Sequence, residues 1–154
     1  MLNQTISVDD PMAPDIVGML ESHLIDMRAT SPPECVHALD VNALKAPNIL
    51  FFSMRQEGHL LGVVALKELS AVHAEIKSMR TSAAARRKGV ASALLSHLIN
   101  ISKKRGYRTV SLETGTQAFF APAHELYRKF GFTECGPFAD YQLDPHSIFM
   151  QKHL

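Results

Sequence analysis

The sequence lacks the features that usually mark a secreted, metal-binding or membrane-spanning protein. It has two cysteines, Cys35 and Cys135, without the Cys-x-x-Cys spacing of a zinc site. Its eight histidines show no His-x-x-His spacing, and no Gly-x-Ser-x-Gly elbow occurs. No apolar stretch approaches the roughly 20 residues that cross a bilayer, and no secretory leader pattern is present. We therefore expect free thiols, no metal, no membrane association and a cytoplasmic location.

The composition that remains fits one compact domain over residues 1–154, because 46% of the residues are hydrophobic and 20% are charged. The net charge of +1 conceals an asymmetry along the chain. The first 40 residues contain seven acids and a single base, Arg28. From Arg80 to Leu112 there are eight lysines and arginines and no acid. This basic stretch is either a solvated helix face or an anion-binding site.

Periodicity and turn residues predict the element order β-α-(loop)-β-β-β-α-β-α-β-β. The predicted strands cover residues 4–8, 49–54, 60–66, 73–79, 109–113, 132–135 and 147–152. The predicted helices cover a segment that ends near Ala29, then residues 87–104 and 118–130. The stretch from 31 to 47 is predicted as a loop or a short second helix. Strict alternation in strand 73–79 would place Glu75, Lys77 and Met79 on one face and Ile76 on the other.

A basic segment after the fourth predicted strand has the form of a phosphate-binding device. The strand ends at Met79, a short loop follows, and Arg86-x-x-Gly89-x-Ala91 opens the next helix. The first turn of a helix offers N–H groups without intrahelical partners and the positive end of the helix dipole. Small residues at Gly89 and Ala91 let a diphosphate approach the backbone, and basic neighbours add charge. The segment is neither a Walker loop, which needs Gly-Lys-Ser/Thr, nor a Gly-x-Gly-x-x-Gly fingerprint.

Together with two further motifs, this segment resembles the GNAT family of N-acetyltransferases. The family's cofactor signature, Gln/Arg-x-x-Gly-x-Gly/Ala, stands here as Arg86-Arg87-Lys88-Gly89-Val90-Ala91. The preceding strand, Ala-Glu-Ile-Lys-Ser-Met at 74–79, resembles the strand that comes before that signature. Residues 126–132, Leu-Tyr-Arg-Lys-Phe-Gly-Phe, resemble the family's Leu-Tyr-x-x-x-Gly-Phe ending. The three features occur in the family's order and separation, and they cover residues 72–134.

The resemblance implies an α/β (α+β) fold with a single GNAT-like domain. Its mixed central sheet of about six or seven strands would be flanked by about four helices. It also implies acetyl-CoA as the co-substrate, with the diphosphate on the loop amides of Lys88 to Ser92 and the pantetheine arm beside Met79 and Thr81. The implied cofactor-binding residues are Met79, Thr81, Arg86, Arg87, Lys88, Gly89, Val90, Ala91 and Ser92.

The resemblance further implies direct attack of an amine on the thioester, with a base for the ammonium proton and an acid for the thiolate. Tyr127 matches the tyrosine that many members carry near the coenzyme sulfur, which implies a general acid. Its alternative role is an ordinary core position on a helix stripe with Ala123 and Phe130. Glu75 stands where histone-type members carry their general base. Its alternative role is an ion pair with Lys77, in which case a water chain would serve as the base.

One position departs from the family pattern. Many members have an asparagine that contacts the cofactor three residues before the alanine of Asn-x-x-Ala-x-x-Leu-Tyr, and Phe120 stands in its place. Phe119 and Phe120 are predicted either to form an apolar wall beside the pantetheine arm or the substrate, or to be ordinary core residues.

The acceptor site implied by this fold lies between the loop after the first helix and the last strands. The candidate substrate-binding residues are Arg28, His37, Asp40, Asp140 and Tyr141. They suit a small amine that carries a carboxylate, although loop residues of these types also occur without any such role. The acidic first 40 residues favour a cationic acceptor. We therefore predict transfer of an acetyl group from acetyl-CoA to a primary amine of a small molecule or a peptide, with a homodimer left open.

Two other classes of function remain as alternatives. A non-catalytic sensor of acyl-CoA would use the same loop, but the presence of both Glu75 and Tyr127 argues against it. An RNA-binding domain would use the basic stretch, yet no aromatic residue interleaves with those charges before Tyr107. We therefore expect no nucleic-acid partner.

Overall fold

A computed structural model describes residues 4–30 and 41–154, with side chains described in the first range up to Ser22. The strands of this part of the chain are β1 (Gln4–Val8), β2 (Ile49–Gln56), β3 (His59–Ser70), β4 (His73–Thr81), β5 (Thr109–Gly115), β6 (Thr133–Cys135) and β7 (Ser147–His153). The α-helices are α1 (Pro14–Thr30), α2 (Val90–Lys104) and α3 (Ala121–Lys129). Short 3-10 turns occur at Ala43–Lys45, Ala83–Ala85 and Ala118–Phe120. The predicted order of elements is confirmed, with three α-helices described where about four were expected.

The seven strands form one mixed sheet in the order β1-β2-β3-β4-β5-β7-β6. Every neighbouring pair is antiparallel except β4 and β5, which are parallel. Parallel neighbours need a crossover connection, and α2 supplies it between β4 and β5. The one parallel pair therefore lies near the centre of the sheet, where the chain passes through α2.

The sheet separates two apolar layers. The larger one, on what we call the α2 face, includes Val64, Leu66, Ile76, Leu94, Leu98, Val110, Leu112, Tyr127, Phe132 and Met150. The smaller one, on the α1 face, consists of Ile16, Leu20, Leu44, Phe51, Val63 and Ala65. Alternate residues of β3, such as Val63 and Val64, serve opposite layers because successive strand residues point to opposite faces.

Two helix starts differ from the prediction. The helix expected from Arg87 begins at Val90, because Arg87 and Gly89 both have positive φ angles, which a right-handed helix does not contain. The helix expected from Ala118 begins as a 3-10 turn, and α3 starts at Ala121. Pro122 explains the second difference, because it has no N–H to bond to the carbonyl of residue 118.

Candidate active site

The parallel strands β4 and β5 separate partway along their length. Their last pair is Ile76 opposite Leu112, although β4 continues to Thr81 and β5 to Gly115. In the described chain, the β4 edge beyond Ile76 is therefore not paired with β5. Such an open strand edge pairs readily with another extended chain, because its N–H and C=O groups lack partners on that side. We call this opening the β4–β5 gap.

A β-bulge at Ser78 interrupts β4 beside this gap. Ala65 of β3 lies opposite Lys77 of β4, and Val63 lies opposite Arg80. Between these two pairs the chain advances by two positions on β3 but by three positions on β4. Ser78 has a φ of 57°, in the left-handed region that residues other than glycine seldom adopt. An extra residue of this kind reverses the alternation of the side chains that follow it.

The bulge corrects the predicted position of Met79. Strict alternation placed Met79 on the same face as Glu75, and this prediction is wrong because the extra residue moves Met79 against the core of the α2 face. Thr81 pairs with Gly62, and a side chain at Gly62 would point toward α2, within 2.8 Å of Val90. Met79 and Thr81, the two residues predicted to meet pantetheine, therefore both lie on the side of α2.

The segment between β4 and α2 turns sharply before the helix begins. The Ser82 hydroxyl accepts a hydrogen bond of 3.2 Å from the backbone N–H of Ala85 and so caps a 3-10 turn. Arg87 and Gly89 then adopt φ angles of 64° and 79°. A Cβ added at Gly89 would meet no atom within 4 Å, so this turn faces open space.

The first turn of α2 combines free amides with exposed positive charge. Its first helical hydrogen bond runs from the Ala93 N–H to the Gly89 carbonyl at 3.0 Å, so the preceding N–H groups have no acceptor within the helix. Arg86, Arg87 and Lys88 are exposed immediately before it. Amides, dipole and basic side chains at one helix start fit a diphosphate group.

Tyr127 of α3 is buried on the α2 face. It is 7% exposed, and its ring lies 5.9 Å from that of Phe132 in an edge-on contact. Ala123 and Phe130 pack against the same core, so the predicted core stripe is confirmed. Burial, followed by the negative charge of Glu113, raises the pKa of Tyr127 well above its usual value. The phenol therefore keeps its proton, and no hydrogen-bond partner for it occurs among the described residues.

Glu75, Lys77 and Tyr141 form a closed network on the α1 face, which we call the Glu75–Lys77–Tyr141 triad. Lys77 Nζ lies 3.1 Å from Glu75 Oε2 and donates to the Tyr141 hydroxyl at 2.8 Å. The Tyr141 hydroxyl donates to the same Glu75 oxygen at 2.7 Å. The ion pair that the sequence offered as the alternative role of Glu75 is therefore present. Glu75 is only 2% exposed, so its carboxylate lies beneath these two neighbours.

Tyr141 belongs to the irregular segment between β6 and β7, residues 136–146, which we call the β6–β7 loop. Its ring contacts those of Phe138 and Phe149 at centroid distances of 5.1 Å and 5.5 Å. Lys77 Nζ lies 5.4 Å from the centroid of the Tyr141 ring. Burial and then the charge of Glu75 raise the pKa of Tyr141, so this phenol also stays protonated. The triad thus joins the predicted base candidate to a predicted substrate residue.

Glu113 was missed by the sequence analysis. It is half-buried on β5 beyond the last β4–β5 pair, and its carboxylate accepts a hydrogen bond of 2.8 Å from Ser147. Its charge raises the pKa of both Tyr127 and Tyr141, which places it within electrostatic range of each. An available signal was the alternation of Ser111 and Glu113 with apolar residues inside a predicted strand, which indicates a polar face.

Other predicted site residues have separate outcomes. His37 and Asp40 lie outside the described residues, and Arg28 lies in the part of α1 without described side chains. Phe120, at the position of the family's asparagine, is buried against Gly115, where a Cβ would come within 2.4 Å of its ring. Phe120 is therefore a core residue, whereas Phe119 is 41% exposed.

Comparison with known proteins gives the family to which the chain belongs. The family model described as "Acetyltransferase (GNAT) family" matches residues 16–132. The chain is 50% identical over 149 residues to the uncharacterized N-acetyltransferase YsnE of Bacillus subtilis, covering 97% of this chain and 99% of that protein. It is 47% identical over 150 residues to the uncharacterized N-acetyltransferase YedL of Escherichia coli, covering 97% and 94%.

Solved structures with low sequence identity share the fold. An acetyltransferase from Streptococcus agalactiae superposes with a TM-score of 0.74 at 17% identity, covering 98% of both chains. A GNAT family acetyltransferase from Elizabethkingia anophelis, solved with acetyl-CoA bound, superposes with a TM-score of 0.71 at 16% identity, covering 99% of both chains.

The chain belongs to the GNAT acetyltransferase family and is an acyltransferase. None of the helices described in the structure is long and apolar enough to cross a membrane. Among the described side chains, those of residues 4–22 and 41–154, no group of histidine, cysteine and carboxylate residues is arranged to hold a metal ion.

Proposed function

We propose that the protein transfers an acetyl group from acetyl-CoA to a primary amine of a small molecule or peptide, by direct attack within a ternary complex. The observation that carries the proposal is the β4–β5 gap, which opens beside the amide-rich start of α2. The open strand edge at the gap suits an extended arm that contains amides, and the amides at the start of α2 suit a diphosphate. Coenzyme A contains both groups in one molecule.

In this proposal the cofactor is held mainly by the backbone. The amides from Lys88 to Ser92 bind the diphosphate, for which the Lys88 N–H leaves its 3.3 Å hydrogen bond to the Ala85 carbonyl. The exposed Arg86 and Arg87 add charge around it. The pantetheine arm lies along the free edge of β4 beside Met79 and Thr81. Gly62 supports this geometry, because its missing side chain lets Val90 pack directly onto β3.

The chemistry requires the ammonium nitrogen to lose one proton before attack and a second as the amide forms, and the second loss balances the proton that the departing sulfur gains. The amine nitrogen forms a bond to the thioester carbonyl carbon, the carbon–sulfur bond breaks, and the sulfur departs as a thiolate. We assign Tyr127 as the acid that protonates this thiolate, because its buried phenol keeps its proton and has no partner among the described residues. The base that removes the ammonium proton is assigned to Glu75, whose carboxylate lies beneath Lys77 and Tyr141.

The acceptor in this proposal is a cationic amine. The half-buried Glu113 puts negative charge beside the gap, within electrostatic range of Tyr127. A protonated amine is attracted to such a site before it loses its proton. The cytoplasmic location and the homodimer stay predictions from the sequence.

The test is an assay of CoA release from acetyl-CoA over a panel of amino acids, polyamines, aromatic amines and peptide amino termini, with the acetylated product identified by mass spectrometry. We expect release to depend on at least one amine. Binding of acetyl-CoA without release for any amine would favour the sensor, and no binding at all would contradict the cofactor assignment.

A further inference from the structure

The burial of Glu75 limits how it can take part in the reaction. At 2% exposure its carboxylate is closed to solvent, and one oxygen, Oε2, is contacted by both Lys77 and Tyr141. Lys77 already carries a full set of protons and cannot accept another. Tyr141 is half-buried and so more exposed than Glu75, and a phenol oxygen can accept one proton while it donates its own. A proton that comes from a bound amine can therefore reach Glu75 through Tyr141.

We propose that Tyr141 is a catalytic residue of this enzyme, which touches the acceptor amine and relays its proton to Glu75. The inference rests on the proposed function and adds to it the group through which the base acts. The relay follows from the contacts within the triad and from the burial of Glu75.

The proton movements balance in this relay. The ammonium N–H bond breaks first and its proton moves to the Tyr141 oxygen, while the nitrogen keeps the electron pair with which it then bonds to the carbonyl carbon. The Tyr141 O–H bond breaks in the same step, and that proton moves to Glu75 Oε2 along the 2.7 Å hydrogen bond. Lys77 keeps its protons, and its 2.8 Å hydrogen bond to the Tyr141 oxygen stabilises negative charge that develops there. After product release, Glu75 returns the proton to solvent through Tyr141.

The position of Lys77 places the tyrosine end of the triad beside the gap. Lys77 directly follows Ile76, the last residue of β4 that pairs with β5, and its Nζ lies 2.8 Å from the Tyr141 hydroxyl. Glu113, on β5 beyond the same last pair, acts electrostatically on Tyr141. Among the described residues, Lys67 stands opposite Glu75 on β3, and His73 precedes Glu75 by two residues on β4. Burial lowers the pKa of His73, so the imidazole is neutral near pH 7, and its Nε2 lies 2.7 Å from Ser111 Oγ.

The test compares Tyr141→Phe, Glu75→Gln and the double variant with a matched control elsewhere in the protein. The control is Tyr107→Phe, which removes a buried phenol hydroxyl. That hydroxyl donates to the Glu68 carboxylate at 2.7 Å, the distance at which Tyr141 donates to Glu75. Tyr107 belongs to the core of the α2 face, opposite the triad. For each protein, kcat and KM for the best amine are measured from pH 6 to 10, and acetyl-CoA binding is measured by thermal shift.

We expect each triad variant to lose about 10²-fold in kcat/KM at pH 7, the usual contribution of a general base, with acetyl-CoA binding unchanged. The double variant loses no more than either single one, because both changes break the same path. The losses shrink as pH approaches the pKa of the amine, because a neutral amine needs no base. Tyr107→Phe keeps the wild-type profile.

Three outcomes would overturn the relay. Tyr141→Phe with an unchanged kcat and pH profile would remove Tyr141 from the proton path. A loss confined to the KM of the amine and equal at every pH would show that Tyr141 only holds the β6–β7 loop in place. Full activity of Glu75→Gln would exclude Glu75 as the proton acceptor. Absence of CoA release by the unaltered enzyme with every amine would instead contradict the proposed function, and the relay with it.

Discussion

Arg55 of β2 holds Asp15 in the first turn of α1 through two hydrogen bonds, from Nη1 at 2.7 Å and from Nη2 at 3.2 Å. The same guanidinium donates through Nε to Asp9 at 3.0 Å, just beyond the end of β1. One side chain thereby ties the edge strand and α1 to the second strand of the sheet. The planar guanidinium fork makes this two-point contact, which a lysine cannot reproduce.

Replacing Arg55 by methionine is expected to lower the free energy of unfolding by about 1–3 kcal/mol, because charge-assisted hydrogen bonds to two carboxylates are lost. Denaturant unfolding measures the change. The control is Arg128→Met, which removes a 3.6 Å pair with Glu134 whose side chains are 54% and 64% exposed. Exposed pairs of this kind contribute about 0–1 kcal/mol, so equal losses in the two variants would contradict the special role of Arg55.

The same cluster predicts an acid-sensitive component of stability. Burial alone would raise the pKa of Asp9, but hydrogen bonds from Ser53, from the Asp10 backbone and from Arg55 outweigh it and lower that pKa. The hydrogen bonds from Arg55 also lower the pKa of Asp15. Because both carboxyls bind protons more weakly when folded, their stabilisation is present above the ordinary value of about 3.9 and is lost as pH falls through the folded pKa values.

Unfolding midpoints measured from pH 6 to pH 2.5 test this prediction. The Arg55→Met variant should lose less stability than the wild type over that range, since the substitution has already removed part of the acid-sensitive stabilisation. Parallel curves for the two proteins would show that Arg55 does not set these pKa values.

The turn before α2 can be tested with two glycines of matched conformation. Gly89→Ala and Gly106→Ala each place a side chain at a positive φ, 79° and 83°, with nothing within 4 Å of the new Cβ. Each should cost about 1–2 kcal/mol of stability through the strained backbone. Only Gly89→Ala should also weaken acetyl-CoA binding, by tenfold or more, because its Cβ enters the space proposed for the diphosphate.

The readout is the rise in melting temperature with added acetyl-CoA, which for the wild type at 100 times the dissociation constant corresponds to about 2.7 kcal/mol. Gly106 follows α2 at its other end, about 22 Å along the helix, so its substitution should leave this rise intact. An equal response of the two variants would place the cofactor elsewhere.

Tyr127→Phe is expected to lower kcat by about 10²- to 10³-fold with little change in acetyl-CoA affinity, because only protonation of the thiolate is lost. Its hydroxyl makes no hydrogen bond to another described residue, so the thermal stability of the variant should stay close to that of the wild type. Since burial raises the pKa of Tyr127, this group should cause no fall in kcat up to about pH 10. An unchanged kcat would leave Tyr127 with its core role alone.

The strands, the helix that opens at the basic loop and their order could be predicted from the sequence because each depends on neighbouring residues. The hairpin of β2 and β3 follows from two apolar runs around Gly58, and α2 follows from the spacing of Leu94, Leu95 and Leu98. The cofactor loop is local as well, because turn, helix start and charge lie within a few residues.

The triad could not be predicted in the same way. Tyr141 and Glu75 are 66 residues apart in sequence, and their contact depends on how the β6–β7 loop folds back over the sheet. The role of Glu113 depends equally on where β5 lies relative to two tyrosines from other elements. A single sequence carries no local signal for contacts between residues that are far apart along the chain. The residue types could therefore be recognised in the sequence, but their contacts could not be predicted.

The extra residue at Ser78 has a consequence for how this strand can vary. Deleting it would leave Met79 and Thr81 on the side of α2, because Lys77 and Arg80 would stay opposite Ala65 and Val63. The same chain with residue 78 in regular extended backbone would instead turn Met79 and Thr81 toward α1 and Arg80 toward α2. A guanidinium would then enter the path proposed for an uncharged arm. The left-handed backbone of this one residue therefore decides which side chains line the open edge of β4.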